Sequence, residues 1–313
     1  MQKSILILGA CGQIGTELTL ALREKYGNDQ VVASDIREGS KNLMDSGPFE
    51  LLDATNYDAM EDVIMYYEIE EVYLMAAMLS ATAEKFPMRA WNLNMNSLFN
   101  VLNLAKEGKI NKVFWPSSIA VFGPNTPLEN TPQSTIMEPS TVYGISKQSG
   151  ERWCSYYFRK YGVDVRSVRY PGLISWKTLP GGGTTDYAVE IYHKAVSGEA
   201  YTSFLKSDTK LPMMFMDDAI RATVDIMEIE SDKLTVRSSY NLAAMSFTPA
   251  EITASIQAYI PEFKVDFKPD FRQDIADSWP NSIDDSQATV DWGWQPQFDL
   301  ERTTEEMLRN LGK

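Results

Sequence analysis

The chain has 313 residues, 44% hydrophobic and 23% charged, a balance that excludes sustained disorder. A formal charge of −14 argues against nucleic acid or anionic membranes as partners, and mildly against a substrate with several phosphates. One histidine (His193) and two cysteines (Cys11, Cys154) are too few for the usual zinc sets or a disulfide framework, so no metal is expected.

In chain order, residues 4–8 form a compact β-rich run, residues 14–26 carry helical spacing, and residues 30–34 read as a second strand. Residues 56–67 read as helix, 71–76 as strand, 91–107 as helix and 112–115 as a fourth strand running on to Ser117 and Ser118. This alternation predicts an α/β fold, a doubly wound parallel sheet of the Rossmann type, with ligands at the carboxyl ends of the strands. The first residues read as a strand and not as a signal peptide. No apolar run reaches the roughly 18 residues of a membrane span. With the cysteine usage, this points to a reduced cytoplasmic setting. After residue 170 the pattern changes to a Gly-rich loop at 179–185, a helix over 186–196, a strand over 213–216, a helix over 217–228, and then short mixed elements. The expected organisation is a dinucleotide-binding domain over 1–170, with part of 213–240 returning to it, and a smaller, mainly substrate-binding domain over 171–313.

Gly9, Gly12 and Gly15 lie between the first strand and the first helix. Glycines there permit a tight turn and close approach of backbone to a pyrophosphate, which the helix N-terminus then attracts. The GxxGxxG spacing is weak by itself. Asp35 strengthens it, because a carboxylate ending the second strand, twenty residues beyond Gly15, suits the adenosine ribose hydroxyls and repels the extra phosphate of NADP. NAD is the expected cofactor, with Arg37 nearby as a softening influence.

Tyr143 and Lys147 stand four apart, on one face of a helix. A neighbouring ammonium favours the phenolate and lowers the Tyr pKa from about 10, as a general base requires. Ser118 precedes Tyr143 by 25 residues.

These motifs resemble the extended short-chain dehydrogenase/reductase family over nearly the whole chain. The supporting residues include Asp53, Ala76 and Ala77, Asn94, Val121 to Gly123, and Arg169 to Gly172. The resemblance implies that Gly9, Gly12, Gln13, Ile14, Gly15, Asp35, Asp53, Ala76, Ala77, Asn94, Tyr143, Lys147 and Tyr170 serve the cofactor. It assigns Ser118 to the reacting oxygen, Tyr143 to the proton, and Lys147 to the nicotinamide ribose. Asn94 would supply a structural or proton-relay contact. Pro116 departs from relatives that carry a third Ser there. The family also implies a homodimer packed through residues 91–107 and 142–161.

Family members act on nucleotide sugars, as epimerases and dehydratases, or on smaller molecules. Lys206, Lys210 and Arg237, scattered among acidic neighbours, make a poor clamp for a diphosphate. Consecutive backbone N–H groups at residues 180–186, with Thr184 and Thr185, suit one small carboxylate instead. The segments 170–175, 181–188 and 211–216 resemble the metal-independent branch that oxidises L-threonine. That resemblance puts Ser80, Ser118, Tyr143, Gly183, Thr184, Thr185 and Trp279 against substrate. Ser80 reads equally as a loop serine and Trp279 as core packing. A nucleotide-sugar 4-epimerase or dehydratase with bound NAD is the alternative.

Overall fold

Four consecutive aliphatic residues form β1 (Ile5–Leu8), and all four are buried. Ile5 and Ile7 point to one core cluster and Leu6 and Leu8 to another, so the strand is covered on both faces, as parallel sheets require. The computed structural model describes residues 3–177, 179, 181 and 183–312. In it, β1 is flanked in parallel by β2 (Val31–Asp35), then β3 (Phe49–Leu51), and on its other side by β4 (Glu71–Leu74) and β5 (Lys112–Phe114). β6 (Ser117–Ser118) leaves this sheet, and β7 (Asp164–Arg166) completes it in the order β3-β2-β1-β4-β5-β7.

The helices that cross between these strands are α1 (Gln13–Tyr26), α2 (Lys41–Asp45), α3 (Tyr57–Tyr66), α4 (Ser80–Lys85), α5 (Pro87–Lys106) and α6 (Val142–Tyr161). α3, α5 and α6 bury Met60, Ile64, Leu98, Val101 and Cys154 against one face. Leu18 and Leu22 of α1 cover the other face. The doubly wound α/β arrangement predicted above is the one observed, with two corrections. β5 is the fifth strand and not the fourth, because the three-residue β3 carries no alternating pattern of its own. The strand also does not run through to Ser118. Pro116 has no N–H to give to a ladder, and beyond it β6 pairs with β8 (Val168–Tyr170) in a separate three-stranded sheet, order β12-β8-β6 with β12 at Tyr240–Asn241.

The rest of the chain supplies β9 (Gly172–Ile174), β10 (Tyr201–Ser203), β11 (Leu211–Phe215), β12 (Tyr240–Asn241), β13 (Met245–Phe247) and β14 (Val265–Phe267). β13, β11 and β9 form a second three-stranded sheet, and β10 pairs with β14. Two further helices matter for the site. α7 (Tyr187–Val196) packs into a third core cluster with Phe122, Phe247 and Trp279, whereas α8 (Met216–Glu228) buries Ala219 and Ile226 in the cluster under β1.

Candidate active site

The turn after β1 is shaped by what surrounds it. Gly9 sits at φ +89°, and a Cβ on it would lie 2.6 Å from the backbone nitrogen of Ala76; one on Gly15 would lie 2.2 Å from the carbonyl of Gly9. Protein packing therefore explains both glycines. Gly12 differs, since its nearest neighbour to a Cβ is the Gly9 carbonyl at 3.4 Å. It faces a cleft of about 1050 Å³ of open volume, lined along this side by Gly9, Gly12, Gln13, Ile14, Gly15 and Ala77. Space kept clear before the N-terminus of α1 fits a pyrophosphate on backbone N–H groups. At the end of β2, Asp35 accepts a hydrogen bond from Cys11 N at 3.0 Å through Oδ2, and Arg37 donates to the Cys11 carbonyl at 3.3 Å. Asp53 is exposed and caps its own turn, accepting from Thr55 N (2.8 Å) and Thr55 Oγ1 (2.7 Å).

Thr141 caps α6, its Oγ1 accepting from Gly144 N at 3.0 Å, and so fixes the first turn that carries Tyr143. One turn on, Lys147 is 3% exposed with Nζ 5.6 Å from the Tyr143 ring centre. The ammonium donates to the Pro116 carbonyl at 2.5 Å and lies 4.5 Å from the Trp115 ring centre. Burial pulls the Lys147 pKa down to about 7, with Cys154 and Glu151 opposing. Burial pushes the Tyr143 hydroxyl up to about 12, and its hydrogen bond with Ser118 draws it back. Ser118 is itself held where Ala120 N donates to its Oγ at 3.2 Å. The triad converges in the cleft, with Tyr143 still protonated before any ligand arrives.

Asn94 is buried and does not line the cleft. Its Oδ1 accepts from Met78 N at 2.8 Å, and its Nδ2 donates to Met78 O (3.3 Å) and Ser146 Oγ (3.1 Å). It thereby ties the segment after β4 to the helix turn of Tyr143. Ala76 lies beneath Gly9, and Tyr170 lines the cleft while its hydroxyl bonds to that of Thr223. Sequence reasoning missed the deepest support of the triad. Glu151 is fully buried and takes a two-pronged ion pair from Arg169 (2.8 and 2.7 Å) plus a bond from Ser117 Oγ at 2.7 Å. The 18-residue separation of that pair left no local signal.

The other wall of the cleft holds Ser80, Gly183, Thr184, Thr185 and Trp279, the residues expected against substrate, together with Leu79 and Asp186, which were not singled out. Thr184 is 1% exposed and its hydroxyl has no hydrogen-bond partner among the described residues. Gly183 N donates to Asp186 Oδ2 at 2.6 Å. Pro180 and Gly182 of the expected carboxylate nest lie outside the described residues. Lys206 pairs with Asp277 and Arg237 with Asp164, both away from the cleft.

The sequence model described as the NAD dependent epimerase/dehydratase family matches residues 5–243. The chain belongs to that family. It is an NAD-dependent oxidoreductase, with NAD as its cofactor. It is 53% identical over 309 residues to an uncharacterized epimerase/dehydratase of Staphylococcus haemolyticus, covering 98% of this chain and 97% of the relative. Among solved structures it is similar to a GalE-like L-threonine dehydrogenase from Cupriavidus necator in holo form (TM-score 0.96, 58% identity, 98% of this chain and 99% of that one). A second similar structure is the L-threonine dehydrogenase of Clostridium difficile (TM-score 0.96, 49% identity, 99% and 98%).

Proposed function

We propose that this enzyme oxidises L-threonine at its side-chain hydroxyl to 2-amino-3-oxobutyrate, without a metal. The observation that carries the reading is the chemistry of the wall facing the triad. It offers small hydroxyl donors (Ser80, Thr184, Thr185) for one carboxylate and one carboxylate, Asp186, for one ammonium. The buried Thr184 hydroxyl lacks a partner among the described residues, an expensive arrangement unless a ligand supplies one. Among the described residues of the cleft Lys147 is the one cation, and it serves the triad. A nucleotide-sugar diphosphate would find no other described cation there. The similarity to two L-threonine dehydrogenases supports the same choice.

In this reading Tyr143 removes the hydroxyl proton and Ser118 hydrogen-bonds the reacting oxygen. Lys147 lowers the cost of the Tyr143 phenolate and holds the nicotinamide ribose, and Asp35 takes the adenosine ribose. NAD held in the cofactor groove would supply the oxidant, as acceptor of the hydride from the β-carbon. Gln13, Ile14, Asp53, Ala76, Ala77, Asn94 and Tyr170 complete or support the cofactor groove, and Trp279 closes the substrate end. The two lobes assigned are 1–170 with part of 213–240, and the remainder. A cytoplasmic homodimer is part of the proposal: α5 and α6 lie side by side, and Trp153 and Tyr161, each 40% exposed, leave an aromatic face uncovered. No helix among the described residues is long and apolar enough to cross a membrane.

The test is NADH formation at 340 nm from L-threonine and NAD with a chelator present. A rate that requires L-threonine, prefers NAD over NADP and survives the chelator is the expected outcome. Activity on a UDP-sugar with no net NADH, and none on L-threonine, would favour the epimerase.

A further inference from the structure

The segment carrying Gly183, Thr184, Thr185 and Asp186 leaves β9 at Ser175, and its first residues are tied to the cofactor helix. Glu17 lies just past the first turn of α1, two residues beyond Gly15, and is 5% exposed. The Ser175 hydroxyl, 1% exposed, donates to Glu17 Oε1 and in turn accepts from Lys177 N at 3.1 Å. Lys177 Nζ lies 3.1 Å from Glu17 Oε2. Both carboxylate oxygens are thus engaged by the base of one segment. Burial raises the Glu17 carboxyl, Ser175 and Lys177 draw it back, and Asp217 on α8 opposes them.

A buried carboxylate costs desolvation that an apolar side chain of similar size would not, so stability alone is a poor reason for it. What the carboxylate does is directional. Two acceptors aimed at residues 175 and 177 fix where the chain departs from β9, and Asp186 lies eleven positions after Ser175 in that same segment. At its other end Glu17 rides on the helix whose N-terminus frames the Gly9–Gly15 turn.

We propose that Glu17, through Ser175 and Lys177, is a positioning residue that sets the substrate-facing residues 183–186 in register with the cofactor turn. Glu17 does not line the cleft itself. The inference rests on the L-threonine reading for what those residues bind, but the strut itself does not.

The experiment compares wild type with Glu17→Gln, Glu17→Ala and Ser175→Ala in the full-length enzyme. It reads NAD affinity, steady-state kinetics, and hydrogen–deuterium exchange of peptides within 172–188. Glu17→Ala is expected to raise KM for L-threonine about tenfold, the scale of one lost charge-assisted hydrogen bond, and to leave kcat and NAD affinity within about twofold. Glu17→Gln keeps an acceptor for Ser175 and should fall between. Exchange over 172–188 should quicken in step with KM. Unchanged KM and exchange with a lower melting temperature would mean simple structural support and overturn the proposal. So would a loss of NAD affinity matching the rise in KM. If Glu17→Ala does not fold, Glu17→Gln and Ser175→Ala decide by the same readings. If the wild type itself ignores L-threonine, the substrate reading fails, while exchange and NAD affinity still decide the strut.

Discussion

The chemistry of the cleft is set by two groups whose ordinary ionisation is displaced in opposite senses. Tyr143 at about 12 and Lys147 at about 7 are both in their uncharged forms at mildly alkaline pH, so the free enzyme holds no ready phenolate. Tyr143→Phe should lower kcat by about 10²–10⁴-fold, the usual worth of a general base, with NAD binding retained in a fluorescence titration. Lys147 also leaves a mark on stability. Its folded pKa is depressed below 10.5, so below about pH 7 both states are protonated and the burial penalty is fully present. Between pH 7 and 10.5 the unfolded chain binds more protons, and stability rises with pH. Urea unfolding of the NAD-free protein should show the wild type gaining on Lys147→Met between pH 7 and 9, by at most about 1.4 kcal/mol per pH unit. Thr184 offers a separate check. Because its hydroxyl has no partner among the described residues, Thr184→Val should leave the melting temperature unchanged or higher, while KM for L-threonine rises.

Elements carry the next level of constraint, and the glycine turn separates folding from binding. Gly15→Ala drives a Cβ into the Gly9 carbonyl and should prevent a stable α1 junction, seen as a fall in melting temperature. Gly12→Ala meets nothing closer than 3.4 Å in the protein, so it should fold normally and weaken NAD binding instead. This turn was legible in the sequence because strand, glycine spacing and helix are contiguous, although the reason for Gly9, the backbone of Ala76 against it, shows only in the fold. The Tyr143–Lys147 pair was legible for the same reason, being one helical turn. What escaped reading was assembled across the chain. β3 and β7, three residues each, are too short for periodicity to show. The break at Pro116 was read as continuity, since Ser117 and Ser118 follow without an obvious turn signal. Glu151 looked like any charged helix residue; only the fold brings Arg169 and Ser117 to it. Asp186 was taken as the start of α7, and its place in the cleft wall depends on how the segment from Ser175 returns.

At the scale of the whole molecule, the exposed aromatic residues of α6, Trp153 and Tyr161, bear on assembly. Light scattering should give twice the chain mass, and Trp153→Glu should reduce it to one chain with the NAD cleft intact. A different consequence follows from where the late residues pack. Tyr240, Trp292 and Trp294 belong to the same buried cluster as Ile5, Ile7 and Leu22. Trp294 Nε1 donates to Asp285 at 2.9 Å, and the Tyr240 hydroxyl reaches Asp291 at 2.5 Å, fastening these late segments to one another. The nucleotide-binding half proposed for residues 1–170 is therefore not a cassette that can be cut out or grafted elsewhere. A fragment ending at residue 170 would expose the underside of its own sheet and aggregate. The intact chain should lose both lobes in one calorimetric transition.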